Sequence, residues 1–408
     1  MSALAKFRVA FPLLVSARLI LTQTSFPDAL KHDALLSSPL TSYSHLQEGI
    51  YLYNLGVNPY SGGVFHHSPL LLSFFTTVLP NSRWAAHLLW TAADAVAAWS
   101  LVSIWRSRQK VPESSRDWIV AAAYLLNPYV LLPTLALSSS SLENALALLA
   151  LMFASRGKAS AAIFCLALLL QMSLSSLLLM APTLLLLLTS PTSQLASPRP
   201  FQSEIRKLVP LVAELAAYTA SLTLTSAVVA GGCTWMPQTW GVSLTLPDLT
   251  PNPGLWWYFF TEMFDHFRPF FLMVFSVHLL IYIAPMCIKF QHDMLYAAFL
   301  LIGVLGTFKA YPTISDPGLF LSMHVLFPEI YPYFRHPIVT ALLHLHAALL
   351  MPMFHHLWLY QGTGNANFFY ASTLVFACAN GAALIECVWA GLRIAIGPEK
   401  EGFSVSQE

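Results

Sequence analysis

Apolar runs of roughly membrane-crossing length recur along the whole chain, separated by short loops that carry proline, glycine or a few cations. A backbone in hydrocarbon must satisfy its own hydrogen bonds, so such runs fold as helices. Only 10% of the 408 residues are charged, and mean hydropathy is +0.62. Soluble domains carry about a quarter charged residues, so a water-soluble globular fold is excluded. The net charge of +1 leaves no basic field for nucleic acid. Cys165, Cys233, Cys287, Cys378 and Cys387 are scattered without a CxxC pair, which argues against a disulfide framework or a zinc site. Twenty-seven prolines exclude a bundle of uninterrupted helices. The composition predicts an all-α polytopic membrane protein.

Hydropathy predicts about 12 transmembrane helices, at 7–23, 84–105, 118–136, 141–155, 159–172, 174–190, 209–231, 269–288, 293–310, 314–328, 337–354 and 370–393. The run 68–79 is too short to span and is expected to be re-entrant or interfacial. The first run follows Lys6 and Arg8 as a signal peptide would. It contains Arg18 and lacks an Ala-x-Ala exit, so a retained helix is expected.

Orientation follows from Lys and Arg. With Lys6 and Arg8 cytosolic and sides alternating, the cytosol receives Arg106, Arg108, Lys110, Arg116, Arg156 and Lys158. It also receives Arg199, Arg206, Lys207, Lys289, Arg335, Arg393 and Lys400, whereas the far side holds only Lys31, Arg83, Arg268 and Lys309. This predicts both termini in the cytosol, a single polytopic membrane domain over 1–396, and a polar cytosolic tail over 397–408. Three non-cytosolic segments result: 24–83, 232–268 and 355–369. They hold most of the aromatic, proline and glycine residues that lipid contact does not explain.

In the first segment Gly56, Pro59, Gly62 and Gly63 impose turns, and Pro69 opens the short helix at its favoured first turn. A folded connector and a substrate-lining loop both fit. His66 and His67 are sequence neighbours that do not face one way and lack a carboxylate partner, so no metal site is expected.

In the second segment Pro247, Pro251, Pro253 and Gly254 stop any helix before Leu255. At 100° per residue, Tyr258, Thr261, Glu262, Asp265 and His266 then gather on one face. Trp256, Trp257, Phe259, Phe260, Met263, Phe264 and Phe267 fall opposite. That pattern predicts an amphipathic helix lying in the interface. Its polar face suits a headgroup with hydroxyls and amines, and its aromatic face suits acyl chains; an aromatic belt anchoring the bundle is the plainer alternative. Arg268 could pair with Asp265 or meet a phosphate.

The third segment offers Asn365 and Asn367, whose amides both donate and accept and so suit a neutral polyol; helix caps explain them equally well. Within the spans, Arg18, Asp94, Glu214, Lys309, Asp316 and Glu386 are costly in lipid and are expected to tie helices or partners together. Catalytic signatures are missing: there is no GxSxG, no protease-type cysteine motif and no glycine-rich phosphate loop. The first non-cytosolic loop has Asp28, Asp33 and Glu48 but no paired acidic motif. Catalysis by this chain alone is therefore the weaker expectation, and no cofactor is expected.

Taken together, several stretches resemble the PIG-U family, the multi-spanning subunit U of the glycosylphosphatidylinositol (GPI) transamidase. They are Gly-Val-x-Pro-Tyr-Ser-Gly-x-Val-Phe-His (Gly56 to His66), Leu-Leu-Asn-Pro-Tyr (Leu125 to Tyr129) and Pro-Asp-Leu-Thr-Pro-Asn-x-Gly-Leu-x-Trp-Tyr-Phe-Phe-x-Glu-Met-Phe-x-His-Phe (Pro247 to Phe267). Phe-Lys-x-Tyr-Pro-Thr-x-x-Asp (Phe308 to Asp316) and Asn-x-Asn-Phe-Phe-Tyr (Asn365 to Tyr370) complete them. The resemblance implies a bundle like the membrane part of GT-C glycosyltransferases, without their acidic catalytic loop, in an endoplasmic reticulum complex. It implies a non-catalytic subunit whose partners include a caspase-like subunit bearing the catalytic Cys and His, further membrane-anchored subunits, membrane lipids and the GPI glycolipid. The carboxy-terminal signal of the client protein is a further partner it suggests. The predicted lipid site comprises Asn365, Asn367, His266, Asp265, Glu262, Phe259, Phe260, Phe267 and Arg268. A GT-C-type, dolichol-phosphate-mannose-dependent mannosyltransferase, with Asp28 or Asp33 essential, is the alternative.

Overall fold

The structure is a computed structural model that describes residues 3–80, 82–246, 248–399 and 401–406. Pro247, which opens the longest motif, and Lys400 of the predicted cytosolic cations lie outside the described residues. All regular structure among the described residues is helical. Among the described residues five helices are long and apolar enough to cross a membrane: Arg83–Gln109, Ile205–Ala230, Arg268–Lys289, Pro337–Leu359 and Ala366–Ile396. A sixth crossing is available if the pair Asp117–Leu125 and Pro128–Leu135, bent by 52°, counts as one span. The bend falls at Asn127-Pro128. Proline there cannot continue the helix before it but is pre-shaped to begin the next one, and the Asn127 side chain accepts from the Tyr129 N–H at 3.0 Å.

The count is thus five to six, where hydropathy suggested about 12. Several expected spans appear as shorter apolar helices of 10–17 residues, among them Ser140–Ser155, Ala159–Met172 and Met294–Phe308. At 1.5 Å per residue, such helices reach roughly 15–25 Å, short of a ~30 Å hydrocarbon core. The run 68–79 folds as a nine-residue helix, Pro69–Thr77, with Ser68 as N-cap and proline at its first turn.

Helix Met294–Phe308 is the buried axis of the bundle. Its approach to Ser315–Met323 depends on small residues: a Cβ on Gly306 would lie 2.8 Å from the Pro317 Cα, and one on Gly303 would lie 2.8 Å from the Phe320 ring. Close approach of this kind carries helix association where lipid removes the hydrophobic driving force. Phe299 stacks on Phe320 with ring centroids 4.8 Å apart, and the Asn127 amide donates to Gly318 O at 3.0 Å and to Ser322 Oγ at 2.9 Å.

Buried charges fasten one end of this axis. Asp293 caps the helix by accepting from the Tyr296 N–H at 3.1 Å, and it takes a two-pronged contact from Arg108 at 2.9 and 3.1 Å. Arg108 also reaches Glu329 at 2.7 Å. The same end holds Arg106 against the Phe7 ring, Arg335 over Trp389 and Arg393 near Tyr333. Cations separated by most of the chain therefore share one end of the bundle. Further in, Arg18 pairs with Asp94 and donates to Leu125 O at 2.8 Å, capping Asp117–Leu125. Glu386 accepts the backbone N–H groups of Arg335 and His336 at 2.6 and 2.9 Å. These contacts tie separate elements together, the role expected of Arg18, Asp94 and Glu386.

Candidate functional site

The three aromatic, proline-rich segments, far apart in sequence, knit into a single cap at the opposite end. The first meets the second where a His66 ring nitrogen contacts Gln238 O at 2.8 Å and the Thr239 hydroxyl donates to His67 O at 3.4 Å. His67 in turn contacts Ser42 O at 2.8 Å. Burial away from water disfavours its charged form and lowers its pKa from 6.5 to about 4, so the ring is neutral at neutral pH. The two histidines thus serve as struts of the connector.

The second segment meets the third around Trp257, which is 3% exposed. Its ring lies 6.2 Å from Trp358, 5.7 Å from Phe369 and 5.8 Å from Tyr370. Tyr258 and Tyr370 rings are 4.8 Å apart, and the Tyr370 hydroxyl donates to Leu255 O at 3.1 Å. Leu35 and Leu36 of the first segment close the same cluster. Trp257, Trp358, Phe369 and Tyr370 are the residues that join the segments, and none was among the predicted site residues. The signal available was their type: large aromatics concentrated in both segments, which pay little rotamer entropy when buried together.

The predicted residues flank this junction. The amphipathic helix expected over 255–267 is shorter: Trp257–Thr261 is helical, and 262–267 turns. The reason is Arg268. Its guanidinium donates to Phe260 O and Met263 O at 2.8 Å each and to Thr261 O at 3.4 Å, closing the short helix, and it pairs with Asp265 at 2.8 Å. Glu262, Asp265 and His266 are exposed on those turns, without the single polar stripe that periodicity suggested. Phe259, Phe264 and Phe267 are about half or more exposed, at 47%, 74% and 50%. Phe260, expected beside acyl chains, is instead buried against Phe275 at 5.3 Å.

On the other side, Asn365 accepts from the Phe368 N–H at 3.2 Å and caps helix Ala366–Ile396. The capping explanation holds for Asn365, and its amide group remains exposed at the rim. Asn367 is exposed on the first turn of that helix. The rim therefore carries exposed aromatic rings on one flank and exposed amides on the other, with the Trp257 junction between them.

Beneath the cap lies a cavity of about 140 Å³ lined by Leu40, Ser243, Ser276, Leu280, Tyr311 and Lys309. Lys309 contacts Asp316 at 2.8 Å and Glu143 at 3.9 Å, and Asp316 also accepts from the Thr313 N–H at 2.8 Å. Two carboxylates thus compensate one buried ammonium, which would be costly alone. Glu143 was not singled out from the sequence; a carboxylate opening an apolar run was its signal. Two of the three acidic residues of the first loop are engaged elsewhere, Asp28 with Arg83 at 2.9 Å and Asp33 with the Leu35 N–H at 2.8 Å.

Comparison with known proteins places this architecture. Residues 12–376 match the family model described as GPI transamidase subunit PIG-U. The chain is 33% identical to the GPI transamidase component GAB1 of Saccharomyces cerevisiae, over 91% of this chain and 90% of that protein. It is 31% identical to the GPI-anchor transamidase component PIGU of Homo sapiens, over 93% and 92%. The GAB1 homolog of Schizosaccharomyces pombe is 33% identical over 91% and 90%. A family match over nearly the whole chain and relatives at this identity over most of both proteins lead to one conclusion: the chain belongs to the PIG-U family of GPI transamidase subunits.

Proposed function

We propose that this subunit holds the GPI glycolipid at the rim of its cap while bond-making takes place on another chain of the transamidase. The relatives are named as transamidase components, and a subunit role in GPI-anchor attachment follows from them. The carrying observation is the junction of remote segments around Trp257, which puts exposed Phe259, Phe264 and Phe267 beside one flank and the Asn365 and Asn367 amides beside the other. Rings of that kind suit acyl chains at the interface, and amides suit inositol or glycan hydroxyls. Glu262, Asp265 and His266 add acceptors for the amines of such a headgroup. Phe260 and Arg268 act in this account from within, by supporting the exposed rings and closing the turn. The engagement of Asp28 and Asp33 supports this reading over a mannosyltransferase.

In this reading the protein sits in the endoplasmic reticulum membrane with its cap lumenal and the Arg108 end cytosolic, in keeping with the clustering of cations there. The short helices complete about 12 crossings by sheltering one another, in a GT-C-like plan. The partners are a caspase-like catalytic subunit, other membrane-anchored subunits and the client's carboxy-terminal signal. The test is to change Asn365 and Asn367 to Ala and measure GPI retained by the purified complex. At least a severalfold loss, with assembly intact, is expected; unchanged retention would remove the amides from the site.

A further inference from the structure

A second feature runs along the flank of the bundle, from Phe308, whose carbonyl accepts from Trp256 Nε1 at 3.1 Å beneath the cap, toward the Arg108 end. Helices Arg268–Lys289 and Ala366–Ile396 both start at the cap, and their far halves lie on either side of a groove. Tyr282, Met286, Phe308, Gly381, Val388 and Leu392 line its deeper part, about 600 Å³ and almost wholly apolar. Leu392 also lines the adjoining crevice of about 970 Å³, whose mouth carries Arg199, Lys289 and His292. Arg199 and His292 then border a polar pocket of about 270 Å³ with Ser190, Gln194, Gln202 and Ser203. Apolar slot, cationic mouth and hydroxyl- and amide-rich pocket therefore follow one another without a break.

Charge and satisfaction point the same way. Arg199 and Lys289 are exposed, and their side chains have neither a hydrogen bond nor an ion pair among the described residues. The nearby carboxylate of Asp293 is committed to Arg108. His292 is only 8% exposed, and its Nε2 has no hydrogen-bond partner among the described residues. A buried polar atom without a partner marks a place where one is missing. The length also fits. From Gly381 to Ile396 the helix rises roughly 22 Å at 1.5 Å per residue, enough to cover the ~15 Å depth of one leaflet's hydrocarbon.

We infer that this groove is a site for one anionic phospholipid with a hydroxylated headgroup of the phosphatidylinositol class. One acyl chain lies in the slot, the phosphate meets Arg199, Lys289 and His292, and the ring hydroxyls enter the polar pocket. Its cationic mouth and polar pocket are at the opposite end of the bundle from the proposed glycolipid rim, and the site stands independently of that rim.

The experiment uses the assembled complex in nanodiscs made with phosphatidylinositol, phosphatidylserine or phosphatidylcholine, with lipid retained after detergent extraction counted by native mass spectrometry. Two variants attack different parts of the site. Arg199→Ala with Lys289→Ala removes the cations, each worth about fivefold in affinity for an anionic lipid. Gly381→Leu obstructs the slot; a Cβ there meets no atom within 4 Å, so the side chain is accommodated by the fold. The expected result is selective retention of phosphatidylinositol over both other lipids, reduced about 25-fold by the double variant and at least severalfold by Gly381→Leu, in complexes that still assemble. Equal retention of phosphatidylserine or phosphatidylcholine, retention unchanged in either variant, or crosslinking of a partner subunit's helix from Gly381→Cys would overturn it.

Discussion

The Tyr370 hydroxyl donates to the backbone carbonyl of Leu255 at 3.1 Å, across 115 positions of sequence. With the Trp257 ring packed edge-on beside it, this bond ties two of the three cap segments together.

Tyr370→Phe keeps the ring contacts and removes one hydrogen bond, at a cost of about 1 kcal/mol. Trp257→Ala empties the centre of the cluster and costs about 3–5 kcal/mol. Thermal unfolding of the purified complex should therefore show a small shift for the first and a large one for the second. Equal shifts would mean that the cluster does not carry the junction.

Asn365 and Asn367 separate stability from recognition. Asn365→Ala removes a helix cap and should lower stability by about 1 kcal/mol, whereas Asn365→Asp keeps a capping oxygen. Asn367 caps nothing, so Asn367→Ala should leave the melting temperature unchanged while lowering GPI retention. A melting shift for Asn367→Ala as large as that for Asn365→Ala would assign both residues a structural role.

His67 makes the connector sensitive to acid. Its folded pKa, about 4, lies below the ordinary 6.5, so the unfolded chain takes up the proton first as pH falls. The stability it permits is complete above pH 6.5 and is lost as pH falls toward 4, a loss on the order of 3 kcal/mol when complete. Melting temperature measured against pH should fall less steeply for His67→Gln than for the parent protein between pH 6.5 and 4. Parallel curves would locate the acid sensitivity elsewhere.

Much of the cap was legible in sequence because its residues are poor lipid-facing material. Prolines, glycines and clustered aromatics in three segments announced a folded surface, and hydropathy announced the bundle beneath it. What stayed hidden depends on distant partners. Helical periodicity ran through Phe267, but Arg268 closes the helix at Thr261 by reaching back to its carbonyls. Glu143 resembled an ordinary first-turn acid, and its role appears only when Lys309 folds against it. The span count differed because several apolar runs shorter than a full crossing read as spans; the helices they form, among them Ser140–Ser155, Ala159–Met172 and Met294–Phe308, stop short of a ~30 Å hydrocarbon core.

The buried pair Arg18–Asp94 offers a test of the bundle. Asp94→Asn leaves an uncompensated guanidinium among helices and should cost about 3–5 kcal/mol, whereas replacing both residues with apolar ones of similar volume should recover most of that loss. Yield and melting temperature of the complex report it. A double variant no better than Asp94→Asn would show that the pair does more than neutralise itself.

The most direct test of the glycolipid rim is photocrosslinking of a GPI analogue, carrying diazirines in both acyl chain and headgroup, to the intact complex, followed by peptide mapping. The account predicts acyl-chain adducts at 259–267 and headgroup adducts at 365–367 of this subunit. Adducts confined to other subunits, or to surfaces of this chain remote from the Trp257 junction, would contradict it.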